Sequence, residues 1–275
     1  MNTSNTIAFL GPEGTFTQVA ALNYFNAKGD LKACSTIDDV FTLVEQKVTE
    51  YGVVPVENST EGTVNNTQDC LIDSMVKIVG EVVVTVEHHL LASSSDSANA
   101  LVKIASHKQS LAQCRKWLLK NYPHLELLEC ASNAQAAKLA ATNSNIGAIA
   151  GALAEKTYGL VPIARKIQDQ SHNSTRFLVL ANKETQPTGN DKTSVLIYAE
   201  NKPGSLFRIL EPFENLQISL TKIETRPSKS EAWAYVFFID FEGHLKDELI
   251  QELFIRLKKC TAELKVLGSY PAFEI

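Results

Sequence analysis

Short apolar runs alternate with segments of helical hydrophobic spacing over the first two thirds of the chain. The strand-like runs are residues 7–10, 31–34, 52–56, 77–85, 102–106, 125–130, 146–150 and 177–180. Between them, apolar residues recur at the spacing of one helix face in residues 17–25, 40–48, 110–120 and 134–141. Strands that alternate with helices predict an α/β domain with mainly parallel strands.

The β-branched stretch 77–91 is long enough to pass from one lobe of such a domain to another. A return through residues 158–166 would complete a two-lobed domain, with Asn173, Thr175 and Arg176 near the hinge. The best domain boundary is the segment 183–192, which has no aliphatic side chain and contains Pro and Gly. We therefore expect one domain over 1–182, a linker over 183–192 and a second domain over 193–275.

The part of the chain after the linker predicts the order strand, helix, strand, strand, helix, strand. The corresponding runs are 194–199, 205–215, 218–225, 232–241, 245–260 and 264–267. This βαββαβ order is typical of a ferredoxin-like fold.

Polar clusters follow several predicted strands of the first domain and precede predicted helices. They lie at 11–17, 57–59, 106–107 and 132–133. Open α/β sheets bind ligands at the carboxyl ends of their strands, and helix starts present free N–H groups to anions. Each cluster alone is also explained by an ordinary helix cap, but together they predict a cleft for a small anion such as a carboxylate.

The segment 173–177 places a hydroxyl and a guanidinium at the start of a predicted strand, beside the polar cluster 55–62. A guanidinium can fork onto a carboxylate, and a hydroxyl can donate a hydrogen bond beside it. A loop with a capping Ser or Thr is the alternative interpretation. The cluster 11–14 lacks the third glycine of a dinucleotide fingerprint, which disfavours a dehydrogenase.

The composition and charge of the chain exclude several classes of function. Of the 275 residues, 44% are hydrophobic and 21% are charged, the net charge is -5, and no Lys/Arg cluster is present. Nucleic acid and membrane partners are therefore not expected. The five Cys and six His are scattered without metal-ligand spacing, so we expect neither a metal nor a cofactor. Without a leader-like segment or a run of membrane-span length, the sequence predicts a cytoplasmic protein.

The motifs at 11–17, 55–62, 106–107 and 173–177, taken in order, make residues 7–181 resemble the prephenate dehydratase family. The second domain resembles the ACT regulatory domain of the same enzymes. The resemblance implies a two-lobed, periplasmic-binding-protein-like catalytic domain followed by a ferredoxin-like ACT domain. Because the dehydratase motif begins at residue 7, it also implies a form without a fused chorismate mutase.

The implied reaction is the loss of CO2 and water from prephenate to give phenylpyruvate, in phenylalanine biosynthesis, with no cofactor. The resemblance gives Thr175 the role of donor to the leaving hydroxyl, and Arg176 is expected to clamp the side-chain carboxylate. A further set is expected to line the substrate site: Thr15, Asn58, Ser59, Asn173 and Phe177.

The second domain is expected to bind phenylalanine, as a feedback inhibitor, between two such domains of a homodimer or homotetramer. The implied effector residues are Asn201, Pro203, Gly204, Ser205, Leu206, Glu224, Thr225, Arg226 and Pro227. Departures from the usual family pattern occur at Asn133, Gly151, Ser205 and Thr225. Two alternatives stay open at this point: a dehydratase that prefers arogenate, and a non-enzymatic binding protein with an amino-acid sensor domain.

Overall fold

The computed structural model of the chain describes residues 5–199, 202–227 and 235–273. The strands are β1 Thr6–Leu10, β2 Asp30–Cys34, β3 Tyr51–Asn58, β4 Gly62–Thr63, β5 Lys77–Thr85, β6 His89–Ala92, β7 Lys103–His107, β8 Glu126–Cys130, β9 Ile146–Ala150, β10 Val161–Ala164, β11 Ser174–Ala181, β12 Asp191–Tyr198, β13 Leu220–Pro227, β14 Tyr235–Glu242 and β15 Glu263–Pro271. The helices are α1 Phe16–Tyr24, α2 Ile37–Glu45, α3 Asn65–Asp73, α4 Lys108–Gln113, α5 Arg115–Asn121, α6 Asn133–Thr142, α7 Ala152–Tyr158, α8 Ser205–Asn215 and α9 Glu248–Leu257.

Two sheets organise the part of the chain that precedes β12. The first has the strand order β2-β1-β3-β11-β5, with β4 paired to β3, and the second has the order β10-β6-β9-β7-β8. Strand β1 is parallel to β2 and β3, and β7 is parallel to β8 and β9. The predicted α/β class is confirmed, although β6 runs antiparallel to both β9 and β10.

Helix α6 packs on the second sheet through alanines. Ala136, Ala137 and Ala140 are fully buried and share one apolar cluster with Ala105 and Ala148 of the sheet. Side chains this small let a helix approach a sheet closely, so the start of α6 lies close to the ends of the neighbouring strands.

The predicted helix over 110–120 is two helices, α4 and α5, which meet at Cys114. The carboxylate of Asp169 accepts hydrogen bonds from the backbone N–H groups of Lys116 (2.9 Å) and Trp117 (3.1 Å). A cap supplied from a distant residue therefore starts a new helix inside a continuous hydrophobic pattern.

The predicted return between lobes through 158–166 is wrong. Residues Val161–Ala164 form β10, which pairs with β6 and so remains in the second sheet. The chain reaches the first sheet only later, at β11. The outward crossing predicted for 77–91 is confirmed, because β5 belongs to the first sheet and β6 to the second, although the stretch is two strands, with β5 ending at Thr85 and β6 beginning at His89.

The chain divides into two compact units. One comprises residues 1–68 and 82–177, and the other comprises residues 69–81 and 178–275. The division passes through α3, β5 and β11, and the predicted linker 183–192 lies inside the second unit. Within the described ranges, no helix is both long and apolar enough to cross a bilayer.

The second unit contains the predicted ferredoxin-like fold. Its sheet has the order β13-β14-β12-β15, and α8 and α9 bury Ile209, Phe213, Ile250, Leu253 and Leu257 in one cluster with the sheet. The βαββαβ order read from the sequence is confirmed.

Residues 69–81 are held in the second unit by polar contacts. The Lys265 Nζ donates to the carbonyls of Leu71 (3.0 Å), Ile72 (2.7 Å) and Ser74 (2.6 Å), and so neutralises the C-terminal end of α3. The Arg226 guanidinium of β13 forms an ion pair with the carboxylate of Asp69 in α3, with an N–O distance of 2.7 Å. These contacts fix the end of α3 through two basic side chains.

Gly268 in β15 allows a close backbone contact in the same unit. A Cβ at this position would overlap the carbonyl oxygen of Ile78. We expect Gly268→Ala to lower the free energy of unfolding by about 1–3 kcal/mol or more, because backbone on both sides must move. Gly147→Ala is the control, since its Cβ meets only the ends of leucine side chains at 3.1 Å. Equal losses in chemical denaturation would contradict the steric argument.

Candidate active site

A cavity of about 840 Å³ opens in the first compact unit, where strands of both sheets end. Its polar wall is supplied by the loops that follow β1, β3, β7, β8 and β9. The residues that line it include Gly11, Thr15, Phe16, Asn58, Glu61, Thr63, Val64, Val86, His88, His107, Lys108, Ser110, Gln113, Ser132, Asn133, Gly151, Thr175 and Phe177. The prediction that the polar clusters at the strand ends share one cleft is confirmed.

The amide of Asn58 has a fixed orientation at the end of β3. Its Oδ1 accepts hydrogen bonds from the backbone N–H of Thr60 (3.0 Å) and of Glu61 (3.1 Å), and from the Thr60 hydroxyl (2.7 Å). Because a backbone N–H can only donate, the oxygen must face the turn and the Nδ2 must face away from it.

The Nδ2 of Asn58 is directed at β11. It donates to the Thr175 Oγ1 at 2.8 Å and to the Asn173 Oδ1 at 2.9 Å. The Thr175 oxygen is therefore used as an acceptor, and no described residue accepts its hydroxyl hydrogen. Since Thr175 lines the cavity, this hydrogen is available to a ligand.

The same network extends to the second sheet through Gln113, the last residue of α4. The Gln113 Oε1 accepts from the Asn173 Nδ2 at 3.1 Å, and its Nε2 donates to the Thr60 hydroxyl at 3.1 Å. Sequence reasoning missed Gln113, because an isolated Gln in a helical pattern gives no signal of a partner 60 residues away.

His88 completes this network and is almost fully buried. Its Nε2 lies 2.8 Å from the Gln113 Oε1, which only accepts, so Nε2 carries the hydrogen. Burial lowers the pKa of His88 below its ordinary value of 6.5, although the hydrogen bond to Gln113 opposes this shift. The ring is therefore neutral at pH 7. It also makes an edge contact with the ring of Phe16, with a centroid separation of 5.9 Å.

Asn133, the first residue of α6, joins the starts of two helices. Its Oδ1 accepts hydrogen bonds from the His107 N–H (3.2 Å) and the Ser110 hydroxyl (2.9 Å). The Ser106 Oγ lies 2.9 Å from the same oxygen, and its single hydrogen goes to the Ile149 carbonyl at 2.7 Å. Ser132 caps α6 by accepting from the Gln135 N–H at 3.0 Å. Ser132 and Asn133 both line the cavity, so the start of α6, where the helix dipole favours a negative charge, lies at its wall.

Four of the predicted substrate-site and catalytic residues line the cavity: Thr15, Asn58, Thr175 and Phe177. Asn173 lines a smaller adjacent cavity of about 290 Å³. Ser59 is exposed and pairs with Ser174, through its N–H (2.9 Å) and its hydroxyl (3.0 Å). The predicted polar segments therefore contain two kinds of residue: some line the cavity, and others, such as Ser59, hold β11 in place.

Arg176 is not on the cavity wall. Successive side chains of a strand point to opposite faces, and Thr175 and Phe177 both face the cavity. Arg176 lies between them in β11 and so faces the other side of the sheet. Its role as a carboxylate clamp stays a prediction that this arrangement does not support.

No three His, Cys, Asp or Glu side chains in the described part of the chain are grouped so as to hold a metal ion. Lys108 lines the cavity, and its side chain is exposed to solvent. The cavity therefore offers amide, hydroxyl and backbone donors as its main polar groups.

Comparison with known proteins agrees with the fold. A family model described as prephenate dehydratase matches residues 7–185. The chain belongs to the prephenate dehydratase family. An ACT domain model matches residues 193–258, which correspond to the ferredoxin-like part of the chain.

A bifunctional chorismate mutase/prephenate dehydratase of Aquifex aeolicus is 50% identical over 265 residues, which are 96% of this chain and 73% of that protein. The crystal structure of a prephenate dehydratase from Arthrobacter aurescens, in complex with L-Phe, superimposes with a TM-score of 0.89 at 29% identity, over 97% of this chain and 90% of the other. GqqA, described as a novel type of quorum quenching acylase, is similar with a TM-score of 0.88 at 26% identity, over 98% of each chain.

The predicted effector residues lie in the second unit, apart from Asn201, which is outside the described residues. Pro203 and Gly204 precede α8, and Gly204 has a φ of 77°, a conformation that favours glycine. The Arg208 guanidinium donates to the Pro203 carbonyl (3.1 Å) and the Ser205 hydroxyl (3.0 Å). Ser205 and Leu206 begin α8, and β13 ends with the remaining predicted residues Glu224, Thr225, Arg226 and Pro227.

The lowered pKa of His88 predicts a pH dependence of stability. Below pH 6.5 the unfolded chain binds a proton at this residue, whereas the folded chain does not until a lower pH. The free energy of unfolding should therefore fall on acidification from pH 6.5 to 5.5, by at most about 1.4 kcal/mol per pH unit for this one group. His88→Gln, which keeps a donor toward Gln113, should show a shallower fall. Since His89 is present in both proteins, identical slopes would contradict the assignment to His88.

Proposed function

We propose that this chain converts prephenate to phenylpyruvate, with loss of CO2 and water, in the cavity described above. The observation that carries the proposal is the Thr175 hydroxyl. Its oxygen accepts a hydrogen bond from Asn58, and its hydrogen is left for a ligand. An elimination that expels hydroxide needs such a donor at the departing oxygen.

The reaction breaks two bonds and forms an aromatic ring. The electrons of the C–C bond to the ring carboxylate move into the ring as CO2 leaves, and the electrons of the C–O bond leave with the hydroxyl group. The departing oxygen takes up one proton and becomes water. Aromatisation supplies the driving force, so the protein needs to stabilise the charge that develops on the oxygen.

Thr175 is suited to this task as a positioned donor. An alcohol is a weak acid, but the hydrogen bond that its oxygen accepts from the Asn58 amide polarises the hydroxyl and strengthens its own donation. The Asn58 amide is fixed by three donors to its oxygen, so the Thr175 hydrogen keeps its direction. Asn58 is thus a positioning residue, and Thr175 contacts the reacting atom.

The absence of Arg176 from the cavity wall is compatible with this chemistry. A tight ion pair with the departing carboxylate would stabilise the ground state and oppose its loss as neutral CO2. Binding through amide and backbone N–H groups provides weaker contacts to an anion than a guanidinium fork would. Phe16, Val86 and Phe177 supply apolar wall, against which a substrate ring can pack.

An acylase activity, suggested by the similarity to GqqA, has less support in this site. A hydroxyl nucleophile needs an adjacent general base. The hydrogen-bond partner of the Thr175 oxygen is the amide of Asn58, and no described His, Asp or Glu is hydrogen-bonded to it. Arogenate differs from prephenate in its side chain and would use the same donor, so it remains the alternative substrate.

We also propose that phenylalanine binds the ACT domain and inhibits the reaction, in a homodimer or homotetramer. The complex of the Arthrobacter enzyme with L-Phe supports the ligand. The ion pair between Arg226 of the effector set and Asp69 of α3 offers a route for its effect, because the chain preceding α3 includes Thr63 and Val64 of the cavity wall. The five free cysteines support a reducing compartment, the cytoplasm.

Replacement of Thr175 tests the proposed reaction. Thr175→Val removes the hydroxyl with little change in shape and should lower kcat for prephenate by about 10²–10⁴-fold. Thr175→Ser should retain most of the activity, because it keeps the donor. Phenylpyruvate formation is followed by its ultraviolet absorbance, with arogenate assayed in parallel. Full activity of the Val variant would exclude Thr175 as the donor. Turnover of arogenate without turnover of prephenate would identify arogenate as the substrate.

Replacement of Asp69 tests the proposed route of inhibition. Asp69→Asn removes the charge paired with Arg226 and should raise the phenylalanine concentration for half-inhibition about 5- to 100-fold, the range of a typical allosteric coupling. Uninhibited turnover should change little, since Asp69 does not line the cavity. Asp96→Asn, at an exposed position in the first compact unit, controls for the change in net charge. An unchanged dose response would exclude this ion pair as part of the coupling.

A further inference from the structure

Asn133 lines the cavity, and its side-chain Nδ2 has no hydrogen-bond acceptor among the described residues. We propose that Asn133 binds the substrate carboxylate that is retained in the product, and this inference rests on the proposed function. A carboxylate of this kind is the side-chain carboxylate of prephenate, which remains as the carboxylate of phenylpyruvate.

The orientation of the Asn133 amide is determined by its partners. The Oδ1 accepts from the His107 backbone N–H at 3.2 Å, and a backbone N–H cannot accept in return. The Ser110 hydroxyl donates to the same oxygen at 2.9 Å, whereas the single hydrogen of the Ser106 hydroxyl goes to the Ile149 carbonyl at 2.7 Å. A flipped amide would place its NH2 group against the His107 N–H and lose this contact, so the Nδ2 position is fixed.

The Nδ2 has no hydrogen-bond acceptor among the residues that the structure describes. Asn133 is half-buried and is one of the residues that line the 840 Å³ cavity. Because no described residue accepts from its Nδ2, its two N–H groups are left for a ligand of that cavity. An amide that is fixed on one side by the His107 N–H and the Ser110 hydroxyl, and unoccupied on the other, is preorganised for a ligand. Its position as the first residue of α6 adds the favourable field of a helix start for a negative charge.

The choice between the two substrate carboxylates follows from the chemistry. A donor on the departing carboxylate would stabilise the anion that has to become CO2, and would oppose the reaction. A donor on the retained carboxylate contacts substrate, transition state and product alike. Such uniform binding affects KM and product affinity and leaves kcat little changed.

Asn133→Asp separates the binding role from the structural role. The aspartate keeps the oxygen that accepts from His107 and Ser110, and it replaces the NH2 group with an anionic oxygen. A negative charge in the first turn of α6 also favours the helix, so the variant should fold with a Tm no lower than that of the parent. Asn99→Asp, at an exposed position away from the cavity, is the charge-matched control.

The expected result is a rise in the KM for prephenate of about 10- to 100-fold, the loss that corresponds to a charge-assisted hydrogen bond. The inhibition constant of phenylpyruvate should rise by a similar factor, and kcat should stay within about threefold of the parent value. The Asn99→Asp variant should match the parent in all three quantities. An unchanged KM, a loss confined to kcat, or a lowered Tm would overturn the assignment.

Direct binding of phenylpyruvate by calorimetry distinguishes a failure of this inference from a failure of the proposed function. If the parent chain does not turn over prephenate but binds phenylpyruvate more tightly than Asn133→Asp does, the proposed reaction is wrong and the carboxylate assignment stands. If the parent turns over prephenate and the two proteins bind phenylpyruvate equally, the reaction stands and the assignment is overturned.

Discussion

The side-chain amide of Asn58 is the contact through which the rest of the site is arranged. Its oxygen closes the turn after β3, and its nitrogen holds both Asn173 and Thr175 of the chain that enters β11. Gln113 then connects Asn173 and Thr60 to α4 of the second sheet. Because each amide in this chain of contacts has its oxygen and nitrogen used differently, a change at one member alters the direction of the next.

This arrangement determines which polar groups of the cavity make structural hydrogen bonds and which are left for a ligand. Side chains that face inward from loops are held by contacts on their far sides, which leaves hydroxyl and amide hydrogens for a ligand. The buried charge in the site is low, since His88 is neutral and Arg176 lies on the other face of β11. A weakly charged wall is consistent with a reaction whose ring carboxylate leaves as a neutral molecule.

The hydrophobic pattern predicted most of the fold, because strand and helix periods are local properties of the chain. The strands Lys77–Thr85 and Ile146–Ala150 and the helix Ser205–Asn215 lie where the pattern predicted them. The break at Cys114 and the placement of β10 could not be predicted, because a carboxylate at Asp169 and an antiparallel partner at β6 decide them. Such partners are distant in sequence.

The candidate site shows the same limit. Thr15, Asn58 and Thr175 were recognisable as polar residues at strand ends, whereas Gln113 and His88 gave no comparable signal. The role of Arg176 stays a prediction, and the alternation of side chains along β11 separates it from Thr175 and Phe177, which line the cavity.

The alanine packing of α6 has a consequence for the tolerance of the active site to change. Ala136, Ala137 and Ala140 leave no room between the helix and the sheet, so a larger residue at any of them would displace the helix axis. Asn133 would move with it as a rigid body. Substitutions on the buried side of this helix should therefore change substrate affinity by small amounts, although they do not contact the ligand. Mutations that accumulate in this part of the core would change KM.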